Sequence, residues 1–185
     1  MAFWLWLIPV IILALIVIIF IAYYNKFVIK GNRIDNSLAQ IDVQLKRRAN
    51  LIPNLIETVK GYAKHEKGIM SDVTNARKAL LAAKDLPKRL KANNQLESAL
   101  KSIFAIAENY PQLRANENFK QLQEELSATE DKIAYSRQYY NDTILDFNNS
   151  INVFPGKVFA SIFSVKERKF IEITAEERKT VKVKF

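Results

Sequence analysis

The sequence predicts an all-α protein: an N-terminal transmembrane helix followed by an antiparallel, up-and-down helix bundle. Three observations lead there. Residues 3–24 carry no charged side chain, and the 185-residue chain contains only four glycines and five prolines. Downstream of residue 24, apolar residues recur every three or four positions over long stretches, the spacing that places them on one face of a helix.

The apolar run from Phe3 to Tyr24 is 22 residues long. At about 1.5 Å per residue it reaches roughly 33 Å, enough for the hydrocarbon core of a bilayer. Pro9 falls near its start, a position membrane helices tolerate when neighbouring groups satisfy the freed carbonyl. Trp4 and Trp6 at one end, with Tyr23 and Tyr24 at the other, are the aromatics expected at the two water interfaces. A cleaved signal peptide wants a positive leader, a shorter apolar core and small residues at the cut. Here no Lys or Arg precedes the run, and it ends Ile-Ala-Tyr-Tyr, so an uncleaved anchor is expected.

Charge sets the expected orientation. Lys26, Lys30 and Arg33 follow the span directly and nothing basic precedes it. The positive-inside rule then places the amino terminus outside and residues 25–185 in the cytoplasm, at the inner membrane of the cell. The absence of cysteine fits a reducing compartment without requiring one.

The net charge of +9 is uneven. Residues 25–101 hold 16 Lys/Arg against seven Asp/Glu; residues 102–154 hold four against eight; residues 155–185 hold eight against four. A basic half followed by an acidic helix predicts internal charge complementarity. The basic residues near the bilayer would add attraction to anionic lipid, about 1 kcal/mol each.

The first soluble stripe runs Ile34, Leu38, Ile41, Leu45, Ile52, Leu55, Val59 and Tyr62, with one turn skipped at Arg48. It continues in phase through Ile69, Val73, Ala76 and Leu80, which predicts one long amphipathic helix with a kink or tight break at Pro53. Ala83-Lys84-Asp85-Leu86-Pro87 ends it, with Asp85 available as a cap. A shorter helix follows, with Leu90, Leu96, Leu100, Ile103, Phe104 and Ala107 inward, closed by Asn109-Tyr110-Pro111. From about Asn116 the cleanest repeat begins: Phe119, Leu122, Leu126, Thr129, Ile133, Tyr140, Ile144, Phe147, Ile151 and Phe154 recur at heptad-like spacing. Tyr135, Tyr139 and Tyr140 are expected to pack within the bundle with their hydroxyls at its edge.

Pro155-Gly156 stops that helix. A short helix is expected near Lys157 to Phe163. Thr174-Ala175-Glu176-Glu177 has capping-box spacing, and Val-Lys-Val-Lys-Phe ends the chain. Short connections between long helices imply antiparallel neighbours. The expected division is residues 1–24 as anchor, 25–154 as the helical bundle, and 155–185 as a tail packed on or extending from it.

One stretch is more specific than any periodicity. Ile41-Asp42-Val43-Gln44-Leu45-Lys46-Arg47-Arg48 continues through Leu51-Ile52-Pro53-Asn54-Leu55-Ile56-Glu57-Thr58-Val59-Lys60-Gly61-Tyr62-Ala63 and ends in His65-Glu66. It closely resembles the signature of the LemA family. Tyr24-Asn25-Lys26-Phe27-Val28 is similar to that family's entry motif. Ser136-Arg137-Gln138-Tyr139-Tyr140-Asn141-Asp142, Phe147-Asn148 and Phe154-Pro155 resemble its last long helix. The sequence departs at Ser37-Leu38-Ala39-Gln40, where relatives commonly carry Ala-Trp-Ser. The resemblance covers residues 20–185 and implies a single-pass membrane protein with a cytoplasmic four-helix-bundle domain. It brings no accepted catalytic activity. One branch of the family is associated with magnetosome membranes, which points towards membrane organisation.

The candidate chemistry is sparse. His65 is the only histidine, so a His-Glu-x-x-His zinc site is not available, and a surface or capping role is expected for it. Thiol chemistry is excluded, and no P-loop, dinucleotide fingerprint or Gly-x-Ser-x-Gly appears. No enzyme activity, metal or cofactor is expected. Lys26, Lys30 and Arg33, spaced by four and three, are expected to meet lipid headgroups. Lys46-Arg47-Arg48 reads either as a solvated helix face beside Asp42 or as a site for lipid phosphate, an acidic partner or nucleic acid. Nucleic acid is the weakest of these, since no recognition module accompanies the charge. Asn54, Glu57, Lys60 and Gly61 share one helix surface. They read equally as an interface or as a buried polar network satisfying the carbonyl that Pro53 leaves unpaired.

The function this predicts is a single-pass, membrane-anchored helical scaffold or interaction protein. Its expected partners are membrane lipids, other membrane or cytoplasmic proteins, and further copies of itself. Two rivals remain: an envelope enzyme or enzyme regulator using acidic residues and His65, and a membrane-proximal nucleic-acid binder.

Overall fold

A computed structural model describes residues 2–171, with side chains from residue 7 onward. Among these residues the elements are all helical: α1 (Ala2–Tyr62), α2 (Lys67–Ala82), α3 (Leu86–Ala107), α4 (Pro111–Ala115), α5 (Glu117–Asn152) and α6 (Gly156–Ile162). The side chains of Trp4 and Trp6, the Thr174–Glu177 motif and the terminal Val-Lys-Val-Lys-Phe lie outside the described set.

The 61-residue α1 passes through both Pro9 and Pro53 without ending. Among the described residues it is the one helix long and apolar enough to cross a membrane, and its most apolar window is not covered by protein at all. Ile8 through Ile19 present their side chains outward around the whole circumference, with no hydrophilic face. A helix that is apolar on every side needs an apolar surrounding, and lipid supplies it.

The chain divides into two compact units, Met1–Leu38 with Gln138–Phe185, and Ala39–Arg137. In the first, α1 and α5 run antiparallel: Lys30 pairs with Asp146, and further along α1 the Ser37 hydroxyl meets that of Thr143 at 3.2 Å. Phe27, Ile34, Ile144, Phe147, Ile151 and Ala160 form its core, with Tyr23, Tyr140, Phe159, Phe163 and Val165 packed against it. The short α6 lies close because residue 156 is glycine. A Cβ there would run into the carbonyl oxygen of Ser150. After α6 the chain turns through Ser164, whose φ of 55° is left-handed. Ser164 N–H bonds to the Ser161 carbonyl and Val165 N–H to that of Ala160, closing the helix end. The following segment is tied back to α5 through two asparagines. Asn148 bonds both backbone groups of Arg168, and Asn141 those of Ile171.

In the second unit the helices alternate in direction. Ala49 of α1 meets Arg77 of α2. Asp42 and Arg48 meet Arg89 and Asn93 of α3 in the same order along both chains. Arg48 and Tyr62 meet Glu130 and Asn116 in the reverse order. This is the up-and-down arrangement that the short connections predicted. The predicted cap at Asp85 forms, accepting from Lys88 N–H at 3.0 Å, and Asn116 likewise accepts from Phe119 N–H at 2.9 Å.

Several expectations need correction. The first soluble helix does not continue to Leu80; a turn at residues 63–66 separates α1 from α2. Gly61 and Gly68 flank that turn, and glycine is the weakest helix former after proline. Of the kink or break expected at Pro53, a break does not occur: α1 runs through it to Tyr62. The proline's missing N–H would have bonded Ala49, and the Ala49 carbonyl instead accepts from Arg77 Nε at 2.8 Å. The inward stripe passes through Ser37, fully buried and bonded to the Ile34 carbonyl, while Leu38 is half-buried. Tyr135 and Tyr139 point outward rather than into a bundle; Tyr135 is 69% exposed. Phe154 also leaves the core, because α5 ends two residues before it.

Candidate functional site

The basic residues after the apolar run do not act as one set. Lys26 is exposed and its ammonium sits 5.4 Å from the centre of the Tyr23 ring. Arg33 is exposed. Lys30 is half-buried and engaged by both the carboxylate and the backbone carbonyl of Asp146. Two residues of the expected trio therefore face outward, while the third holds α5 against α1.

The Lys46-Arg47-Arg48 cluster splits in the same way. Lys46 and Arg47 are exposed. Arg48, 3% exposed, sits at the centre of the second unit, where its Nη1 donates to Asn93 Oδ1 at 2.9 Å and to the Glu130 carboxylate. Asp42, expected beside Lys46, instead pairs with Arg89. That pair borders a groove of about 340 Å³ lined by Leu45, Lys46, Leu80 and Leu81.

The skipped turn in the apolar stripe was the signal for Arg48. The helix phase demands an inward residue there, and a charged residue at an inward position must find partners. Asn93 and Glu130 occupy inward phases of their own helices but were not singled out, because a lone Asn or Glu in an amphipathic pattern gives no hint of its partner. Burial pushes the Glu130 carboxyl above its ordinary value of 4.5; Arg48 opposes that rise, and nearby Glu97 reinforces it. Arg48 and Glu130 therefore act as a structural polar tie between α1, α3 and α5, joined by Asn93.

Asn54, Glu57, Lys60 and Gly61 are all exposed. Lys60 pairs with Glu57 at 2.8 Å, and nothing lies within 4 Å of where a Gly61 Cβ would stand. Since Arg77 already satisfies the Ala49 carbonyl, this stripe is not the network that repairs Pro53. It is an outward polar face. His65 is exposed in the turn after α1, and among the described residues no group of three His, Cys, Asp or Glu side chains is placed to hold a metal.

What these features define is an all-α protein with a single N-terminal apolar helix of membrane-spanning length, continuous with packed helices. Residues 37–185 match the LemA family, and the chain belongs to that family. It is 25% identical over 173 residues to the magnetosome protein MamQ of Magnetospirillum gryphiswaldense, covering 80% of this chain and 64% of that one. It is 27% identical over 139 residues to the protein LemA of Metamycoplasma hominis, covering 74% and 63%. The magnetosome protein MamQ 2 of Paramagnetospirillum magneticum is 25% identical over 175 residues, covering 80% and 64%. The chain thus spans a little under two thirds of the length of these relatives.

Proposed function

We propose that this protein is a non-catalytic scaffold held in the inner membrane by residues 1–24, with its amino terminus outside and its helical region in the cytoplasm. The observation that carries the reading is the continuity of α1. The outward-facing apolar residues up to Ile19 pass without a linker into Phe27 and Ile34 of a packed core. A folded unit joined to its anchor by helix is fixed at the surface, not tethered loosely to it. Lys26 and Arg33 supply the positive flank on the cytoplasmic side. The names of the relatives state no reaction, and the likeness to magnetosome proteins supports a structural role.

The outward polar face of Asn54, Glu57, Lys60 and Gly61 is the surface offered to partners, further copies of the chain among them. The apolar run lacks Gly-x-x-x-Gly, so assembly would be driven from outside the bilayer. Mass measurement of detergent-solubilised protein at micromolar concentration tests the self-association. A particle holding two or more 21.3 kDa chains is expected. A strict monomer removes self-assembly and leaves only heterologous partners.

A further inference from the structure

We propose that the protein touches the bilayer a second time, through the apolar side of α6 and the turn before it, with lipid at the headgroup–acyl boundary as the occupant. Phe154, Val158 and Ile162 follow one another at a spacing of four, and they are 85%, 49% and 56% exposed. Val158 and Ile162 lie on the outer face of a seven-residue helix, too short to persist alone, and Phe154 stands exposed in the turn before it. The inner face of the helix explains where it is held. Phe159 stacks on Tyr23 with centroids 4.5 Å apart, and Phe163 meets the rings of Phe20 at 4.6 Å and Tyr24 at 5.4 Å.

Those contacts fix the level of α6. Phe20 belongs to the uncharged run itself, and Tyr23 and Tyr24 are its closing aromatics, three and two residues before the first charge at Lys26. An element clamped to residues 20–24 of a spanning helix lies where acyl chains give way to headgroups. Its outward Phe, Val and Ile then continue the apolar surface of the span sideways. The neighbouring Lys157 and Lys166 are exposed and suit anionic lipid, the combination of an interfacial amphipathic element. The left-handed turn at Ser164 and the asparagine ties of Arg168 and Ile171 return the chain to α5, so α6 is a fixed lobe.

This inference rests on the membrane anchoring proposed above, and the test separates the two. The chain has no cysteine, so single nitroxide labels can be placed in the full-length protein by Phe154→Cys, Val158→Cys, Ile162→Cys, Ile16→Cys and Ser71→Cys. In vesicles of phosphatidylcholine with one quarter phosphatidylglycerol, collisions with oxygen and with a water-soluble nickel chelate are compared. The labels at 154, 158 and 162 are expected to favour oxygen at least threefold over the label at 71, as the label at 16 does. Nickel access at all three equal to that at 71, with 16 still oxygen-favoured, overturns the lobe and leaves the anchor standing. Nickel access at 16 as well overturns both. Shielding from both reagents at 154, 158 and 162, relieved by dilution with unlabelled chain, means a second copy covers the face and also overturns the inference.

Discussion

Residues 7–38 and 138–171 pack with aromatic and aliphatic side chains, and their surface keeps large apolar groups exposed beside an apolar helix. Within residues 39–137 the core is apolar too, but a guanidinium is buried in it, tied to an amide and a carboxylate. On the membrane placement proposed above, the difference follows from solvent. A unit beside lipid need not hide every oily side chain. A unit in water can keep a buried Arg–Glu tie for register, since such pairs seldom stabilise more than a hydrophobic replacement.

The largest effect that could break this contrast is loss of the tie. Arg48→Ala strands Asn93 and Glu130, and because Glu130 is one-third exposed the low end of the usual range applies, about 3 kcal/mol. Denaturant unfolding of the detergent-solubilised chain measures it. A change within 0.5 kcal/mol means Arg48 carries no structural burden.

Arg77→Ala should cost about 2 kcal/mol by leaving the buried Ala49 carbonyl unpaired. In a Pro53→Ala background the restored N–H takes that carbonyl, and the same substitution should cost less than half as much. Equal costs in both backgrounds would show that Arg77 acts elsewhere.

In the first unit, Gly156→Ala forces α6 away from Ser150. Overpacking of this kind costs on the order of 1–3 kcal/mol. Hydrogen exchange at Val158, Phe163 and Val165 should accelerate at least tenfold while amides of α2 and α3 stay unchanged. Acceleration in α2 and α3 would contradict the independence of the two packing schemes.

The smallest effect concerns pH. Folded Glu130 holds its proton above the ordinary 4.5, so its contribution to stability is fully present below that value and fades as pH rises through the folded pKa. Glu130→Gln should flatten the stability profile just above pH 4.5, whatever its effect at neutrality. An unchanged slope would mean the carboxyl is not perturbed.

Much of this was legible in the residues. The uncharged run, the cap at Asp85, and the short helix after Pro155-Gly156 all follow from local chemistry that a sequence states openly. The distant partners of Ser37, Arg48 and Arg77 were illegible for a common reason. Each satisfies a buried group on an element distant in sequence, and periodicity reports which face points inward without naming what waits there. Phe154 misled because its spacing continues a heptad that the helix itself does not complete.

The placement of α1 in the bilayer with the helical region on the cytoplasmic side, proposed above, can be tested directly. In sealed spheroplasts, chains carrying Ser71→Cys can be exposed to a membrane-impermeant maleimide and then recovered in the membrane fraction after an alkaline carbonate wash. The expected result is protein that stays with the membrane and reacts only once the cells are permeabilised. Full reaction in sealed cells, or protein released into the wash, would contradict the account.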